Sequence, residues 1–233
     1  MPLALFQRRT IRCPTVLGWL ILLTLAAAPC LFWWFRGESF LSLTERQPAE
    51  ILVVEGWIGN EALKAAAVEF KQDGAGYIVT TGGLSNERWS EKRYGYAEMA
   101  RYELTRAGVP ADRIIAAPAV QVETQRTFEM AAAAWRTVQT KLPPPAAINV
   151  FTIGPHARRS RLVFAKVFGS GVKVGVVAWN PPIYQNEPWW YFSDRADEFL
   201  KETACYFLEA VFNSGRRSNS PADRAAPNDG GKP

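Results

Sequence analysis

Cysteine and histidine are scarce in this 233-residue chain, which holds three of the first and one of the second. Three cysteines do not build a disulfide framework. Cys13 precedes a long apolar run and Cys30 lies inside it; only Cys205 follows, in an apolar helical stretch where it reads as a small buried hydrophobe. A lone histidine, no paired cysteines and scattered carboxylates are a poor ligand set, so no metal site is expected. Familiar phosphate and nucleophile signatures are missing as well. There is no G-x-G-x-x-G for a dinucleotide, no G-x-x-x-x-G-K-[ST] for a nucleoside triphosphate and no G-x-S-x-G for a serine hydrolase. No internal repeat is visible.

Acid is absent from the first 36 residues, which carry four arginines, and residues 213–233 carry four basic against two acidic side chains. Residues 37–212 hold 19 basic and 20 acidic side chains, so the formal net charge of +5 belongs to the two ends. A near-neutral middle is no footprint for nucleic acid, and any anion site must be local.

What the chain does have is one long uncharged run, Thr15 to Phe35, enough residues to cross a bilayer. Arg8, Arg9 and Arg12 precede it, which predicts a cytoplasmic amino terminus, and Trp33 and Trp34 suit the far interface. A cleaved signal peptide with Ala26-Ala27-Ala28 at its end is the rival reading; the apolar residues that continue to Phe35 favour an uncleaved anchor. The expected layout is a cytoplasmic terminus over 1–14, an anchor over 15–36, a linker over 37–50, an α/β domain outside the cytoplasm over 51–212 and a polar, disordered tail over 213–233.

Within 51–212, short β-rich apolar runs alternate with helical stretches. Strands are expected at Ile51 to Val54, Tyr77 to Thr81, Arg113 to Ala117, Asn149 to Ile153 and Lys173 to Ala178. Helices are expected near Asn60 to Gln72, Tyr96 to Ala107, Thr124 to Gln139, Pro155 to Phe168 and Ser193 to Phe212. That alternation predicts a three-layer α/β/α domain on a mainly parallel sheet of about five strands.

One stretch breaks a local rule. His156, Arg158, Arg159 and Arg161 crowd the first two turns of the helix after Gly154-Pro155, where the helix dipole disfavours cations. Backbone amides and guanidinium groups there make a candidate anion pocket. Arg159 stands at i+3 from His156, on one helix face; Arg158 and Arg161 point elsewhere. Ligands of open parallel sheets bind at the carboxyl ends of the strands. Glu55 and Gly56 follow the first strand, Thr81, Gly82 and Gly83 the second, Glu123, Thr124 and Thr127 the third, and His156 and Arg159 the fourth. His156 is the candidate proton-transfer group near neutral pH, with Glu55 or Glu129 orienting its partner. Each has a plainer reading too: a turn for Gly82-Gly83, a helix end for Thr127, surface carboxylates for Glu98 and Glu129.

Four motifs occur in the order found in the ElyC/SanA/YdcF family of bacterial envelope proteins, which the chain resembles from Ile51 to Ala178. They are Thr81-Gly82-Gly83; Glu98 followed by Gly108-Val109-Pro110; Arg126-Thr127-Phe128-Glu129-Met130; and Thr152 through His156 to Arg159. The chain departs from the family pattern at Glu55-Gly56-Trp57, where a glycine-rich turn is usual, and at Arg126 and Met130, where asparagines are usual. The resemblance implies a Rossmann-like domain on an inner-membrane anchor, facing the periplasm or cell exterior and serving envelope or peptidoglycan-precursor homeostasis. The family has no firmly attached reaction; from the residues themselves the expected ligand is an anionic small molecule or lipid-linked precursor, held by Thr81, Gly82, Gly83, Glu98, Thr127 and Arg159, with His156, Glu129 and Glu55 in catalytic roles. Two alternatives remain open. One is a non-catalytic module for a nucleotide-like ligand; the other is a site for S-adenosylmethionine, which one member of the family is associated with.

Overall fold

The computed structural model describes residues 14–85, 95–122, 124–185 and 187–212. The readings placed on the arginines before residue 14, on Cys13, on Glu123 and on the tail from 213 lie outside the described residues. The chain divides into two compact units, residues 1–37 and 38–233.

Most of the first unit is helix α1, which runs from Val16 to Leu41 with Pro29 inside it. Its most apolar 18 residues have a mean hydropathy of 2.1, long and apolar enough for a membrane span. At 1.5 Å per residue the helix is about 39 Å long, against about 30 Å of hydrocarbon in a bilayer.

The second unit begins at Glu38 and takes in most of the stretch read as a linker over 37–50. Glu45 forms an isolated antiparallel bridge to Val176, exchanging both backbone hydrogen bonds at 2.8 Å. Gln47 exchanges two more, at 2.9 Å each, with the side-chain amide of Asn149. Residues 38–50 are therefore part of the domain.

The domain then alternates as the sequence predicts: β1 Ile51–Glu55, α2 Asn60–Asp73, β2 Tyr77–Gly82, α3 Tyr96–Arg106, β3 Ile114–Pro118, α4 Arg126–Lys141, β4 Ala147–Ile153, α5 His156–Phe168, β5 Lys173–Trp179 and α6 Ser193–Phe212. The strands form one parallel sheet in the order β3-β2-β1-β4-β5. Helix α4 starts two residues later than expected because Gln125 takes a left-handed conformation, φ 60°.

Both faces of the sheet are covered, which is why its strands read as nearly continuous apolar runs. Ile51, Val53, Val79, Ile148, Val150 and Val176 pack on one face with Ala131, Ala134 and Val138 of α4 and Val163, Phe164 and Phe168 of α5. Leu52, Val54, Ile78, Phe151 and Val177 pack on the other with Ala62, Leu63 and Ala66 of α2 and Ala100 and Leu104 of α3. Strand order reverses between β1 and β4, so the crevice that such sheets use for ligands opens between the carboxyl ends of those two strands.

Candidate functional site

Four charged side chains meet at that crevice. Glu55 ends β1, His156 opens α5, Arg159 follows one turn later, and Glu202 reaches in from α6. Glu55 and Glu202 are 0% and 2% exposed and His156 is 5% exposed, so this is a charged cluster inside the protein. Buried charges persist only when paired and hydrogen-bonded.

Glu55 has two neutral donors. Thr152 Oγ1 on β4 donates to its Oε2, and Ser160 Oγ on α5 donates to its Oε1 at 3.0 Å. His156 Nε2 lies 3.4 Å from the same Oε2. Burial alone would raise the Glu55 carboxyl, but His156 and these hydroxyls together hold it below the usual carboxylate range.

His156 Nδ1 lies 3.0 Å from Glu202 Oε1. Arg159 grips the same carboxylate with Nε to Oε2 at 2.7 Å and Nη2 to Oε1 at 3.0 Å, and its Nη1 donates to Thr127 Oγ1 at 3.0 Å. Arg159 Nη2 also approaches His156 Nδ1 at 3.0 Å. A guanidinium has only donors, so we assign the Nδ1 proton to Glu202 and read this approach as two donors sharing one carboxylate oxygen. Burial and Arg159 push the imidazole down, Glu55 and Glu202 push it up, and the carboxylates win: its pKa is raised to about 9. His156 is thus an imidazolium at neutral pH. Its Nε2 is buried with no hydrogen bond of good geometry, and Trp57 closes over the ring edge-on, centroids 5.0 Å apart. Glu202, against its own burial, is held far below the usual range by His156 and Arg159.

One wall of this cluster faces a cavity of about 890 Å³ lined by Trp57, Gly83, Gln121, Arg126, Thr127, His156, Arg159, Glu198, Lys201 and Glu202, among others. Glu198 stands one turn before Glu202 on α6. Its carboxyl is pushed up to about 7, by burial first and by Glu202 in addition, against the pull of His156. It is therefore the cavity carboxyl poised to gain and lose a proton near neutral pH. A smaller cavity of about 340 Å³ near Pro48, Gly76 and Pro143 carries no comparable cluster.

Of the expected site residues, Gly83, Thr127, His156 and Arg159 line the cavity. Glu55 lies behind them, reached only through His156, Thr152 and Ser160. Thr81 is buried and donates to the Met130 carbonyl at 2.9 Å, joining β2 to α4. Gly82 is dictated by packing, because a Cβ there would sit 2.6 Å from that of Tyr96 as α3 begins. Glu129 is fully buried on α4 and does not line the cavity. Glu98 is exposed on α3, outside the cavity. Cys205 is half-buried on the cavity wall rather than in the core. Arg158 and Arg161 turn away as expected, to the Phe40 carbonyl and to Glu45. Glu198 and Glu202 were missed. Their i, i+4 spacing on an amphipathic helix was the available signal, with nothing local to mark it as more than a solvated face.

Among the described residues no group of three or more His, Cys, Asp and Glu side chains is arranged to hold a metal ion. No protein-family model matches the chain, and no curated protein matches it.

Proposed function

We propose that this protein is a hydrolase or transferase tethered to the bacterial inner membrane through residues 15–36, with its domain outside the cytoplasm. Its substrate in this reading is a phosphate- or carboxylate-bearing cell-envelope precursor, free or lipid-linked, and the chain is grouped with the ElyC/SanA/YdcF proteins it resembles. The carrying observation is a carboxyl with a pKa of about 7, Glu198, in the same cavity as the guanidinium of Arg159.

In this reading Arg159 is the anion-binding group, aimed by Glu202 and Thr127, with Arg126 and Lys201 of the same cavity adding positive charge. His156 keeps its proton and serves as the fixed cation that holds Glu55 and Glu202 ionised. Proton transfer passes to Glu198. For a phosphoester, Glu198 takes a proton from the attacking water or acceptor hydroxyl as the new P–O bond forms. It then returns that proton to the leaving oxygen as the old P–O bond breaks. This changes the role first expected of His156, whose raised pKa and inward-facing Nε2 suit a charge holder better than a base.

One observation favours a second, non-catalytic reading. The two carboxylates and two cations of the cluster neutralise one another, as in a structural ion-pair network. Phosphate release from p-nitrophenyl phosphate and from a short-chain polyprenyl diphosphate separates the readings. Wild type should release phosphate with an apparent pKa near 7, and Glu198→Gln should not. Binding of the diphosphate without release supports the binding module, and neither binding nor release overturns both.

A further inference from the structure

Outside α1, the exposed large apolar side chains Val68, Leu84 and Tyr102 stand singly along the sequence, and Trp190 and Tyr191 form one adjacent pair. Helix α6 is different. Leu200, Ala204, Phe207, Leu208 and Val211 recur at helical spacing and are all exposed, with Phe212 beside them, while Phe199, Glu202 and Glu209 of the same helix are buried in the domain. The outer face of α6 is therefore an apolar stripe.

The chain itself restricts what can cover this stripe. Residues 213–233, which follow directly, contain no aliphatic or aromatic side chain beyond alanine and proline, so the tail has little to bury there. Glu38 ties α6 to the chain just after the apolar run. Arg195 of α6 binds its carboxylate with Nη2 at 2.8 Å, and Phe40 packs edge-on against Tyr206 of α6, centroids 5.7 Å apart. Only Arg36 and Gly37 separate Glu38 from Phe35, the last residue of the apolar run. Three peptide links reach at most about 11 Å, so a bilayer that holds Phe35 has its surface close to α6.

We infer that the outward apolar stripe of α6, from Leu200 to Phe212, rests on the surface of the same bilayer that holds α1. The inference rests on α1 being a membrane span. Helix α6 then acts as an interfacial helix, its inner face built into the domain and its outer face in the headgroup region. The acidic first turns, Asp194 and Asp197, stay off the surface, and contact begins at Leu200. The neighbouring cations fit an anionic leaflet: Lys201 on α6, and Arg216 and Arg217 just beyond its end in the sequence. Leu208 belongs both to the stripe and to the cavity lining, so docking brings the cavity wall to the lipid.

The test uses the full-length chain with Cys13, Cys30 and Cys205 changed to serine. Single labelling sites come from Leu208→Cys, Val211→Cys, Tyr102→Cys on α3 and Leu20→Cys in α1, each carrying an environment-sensitive fluorophore. The proteins are reconstituted in phosphatidylcholine–phosphatidylglycerol vesicles containing a nitroxide-bearing lipid. The labels at 208 and 211 should lose most of their emission to the lipid-borne nitroxide, and the label at 102 should keep its own. If the label at 20 is quenched but those at 208 and 211 are not, the docking falls while the membrane span stands. If the label at 20 is not quenched, the span falls and the docking with it. Protection of 208 and 211 without quenching, reversed as the lipid-to-protein ratio rises, would assign the stripe to a second copy of the chain and overturn the inference.

Discussion

Strand β4 carries a buried polar network toward each of its ends, and the two behave differently. Toward the amino end, Asn149 accepts from the Gln47 amide and donates to the Gln47 carbonyl and to Asp73, so both donor hydrogens and the oxygen of its amide are engaged. Its one charged member, Asp73, is half-buried rather than enclosed. At the carboxyl end, Thr152, Glu55, His156, Arg159 and Glu202 form a network with four formal charges, an unbonded ring nitrogen and an adjoining cavity. Both are buried and polar. The second holds its histidine protonated beyond the ordinary range and leaves a neighbouring cavity carboxyl balanced near neutrality, which marks it as a candidate site rather than a structural tie.

Removing Glu202 should break this comparison most strongly. Glu202→Ala leaves His156 and Arg159 as buried cations with Glu55 as their remaining partner in the cluster, and urea unfolding should show a loss on the order of 3–5 kcal/mol. A loss below about 1 kcal/mol would place the cluster with exposed ion pairs instead. Glu198→Gln should cost activity rather than stability, lowering turnover about 100-fold or more if Glu198 moves the proton. The same variant should unfold at a higher temperature than wild type at alkaline pH. A carboxyl raised to about 7 stabilises the fold only while protonated, so its ionisation destabilises as pH rises from its ordinary 4.5 through 7. Equal melting temperatures would contradict the raised pKa.

At the other end of β4, Asn149→Ala should cost about 1–3 kcal/mol by leaving the Gln47 backbone and Asp73 without their partner. It should leave phosphate release per folded molecule unchanged, and a loss of turnover would end the distinction between the two networks. The smallest effects belong to Arg161→Ala, whose ion pair with Glu45 is more than a third exposed on both sides. Its unfolding free energy should stay within about 0.5 kcal/mol of wild type.

The pH dependence of stability carries the same contrast. His156 has a folded pKa raised above its ordinary 6.5, so its contribution is complete below 6.5 and is lost as pH rises through about 9. Glu55 and Glu202 have lowered pKa values, so their contributions are present above 4.5 and are lost as pH falls below it. Stability should therefore be greatest between the usual carboxylate and histidine ranges.

The sheet was legible because a parallel strand buried on both faces has to be apolar throughout, as Ile51 to Val54 and Asn149 to Ile153 nearly are. The break at Gly154-Pro155 and the cations after it marked where β4 ends and α5 begins. His156 and Arg159 were legible as a pair because a single helix sets their spacing. Their partner was not. Glu202 lies 46 and 43 residues from them, and no local rule ties a helix carboxylate to a distant imidazole. Tertiary context also gives two of the expected binding residues a packing role that no local pattern shows. The approach of Tyr96 leaves no room for a Cβ at Gly82, and the Thr81 hydroxyl donates to the Met130 carbonyl.

His156 is a cation at neutral pH, pinned between two carboxylates, with the proposed working proton at Glu198. The chain has one histidine, so nitrogen NMR of imidazole-labelled protein reports on it without assignment. The account predicts both ring nitrogens protonated at neutral pH, with the signals moving only as pH approaches about 9. A neutral imidazole at pH 7, titrating near its ordinary 6.5, would contradict it.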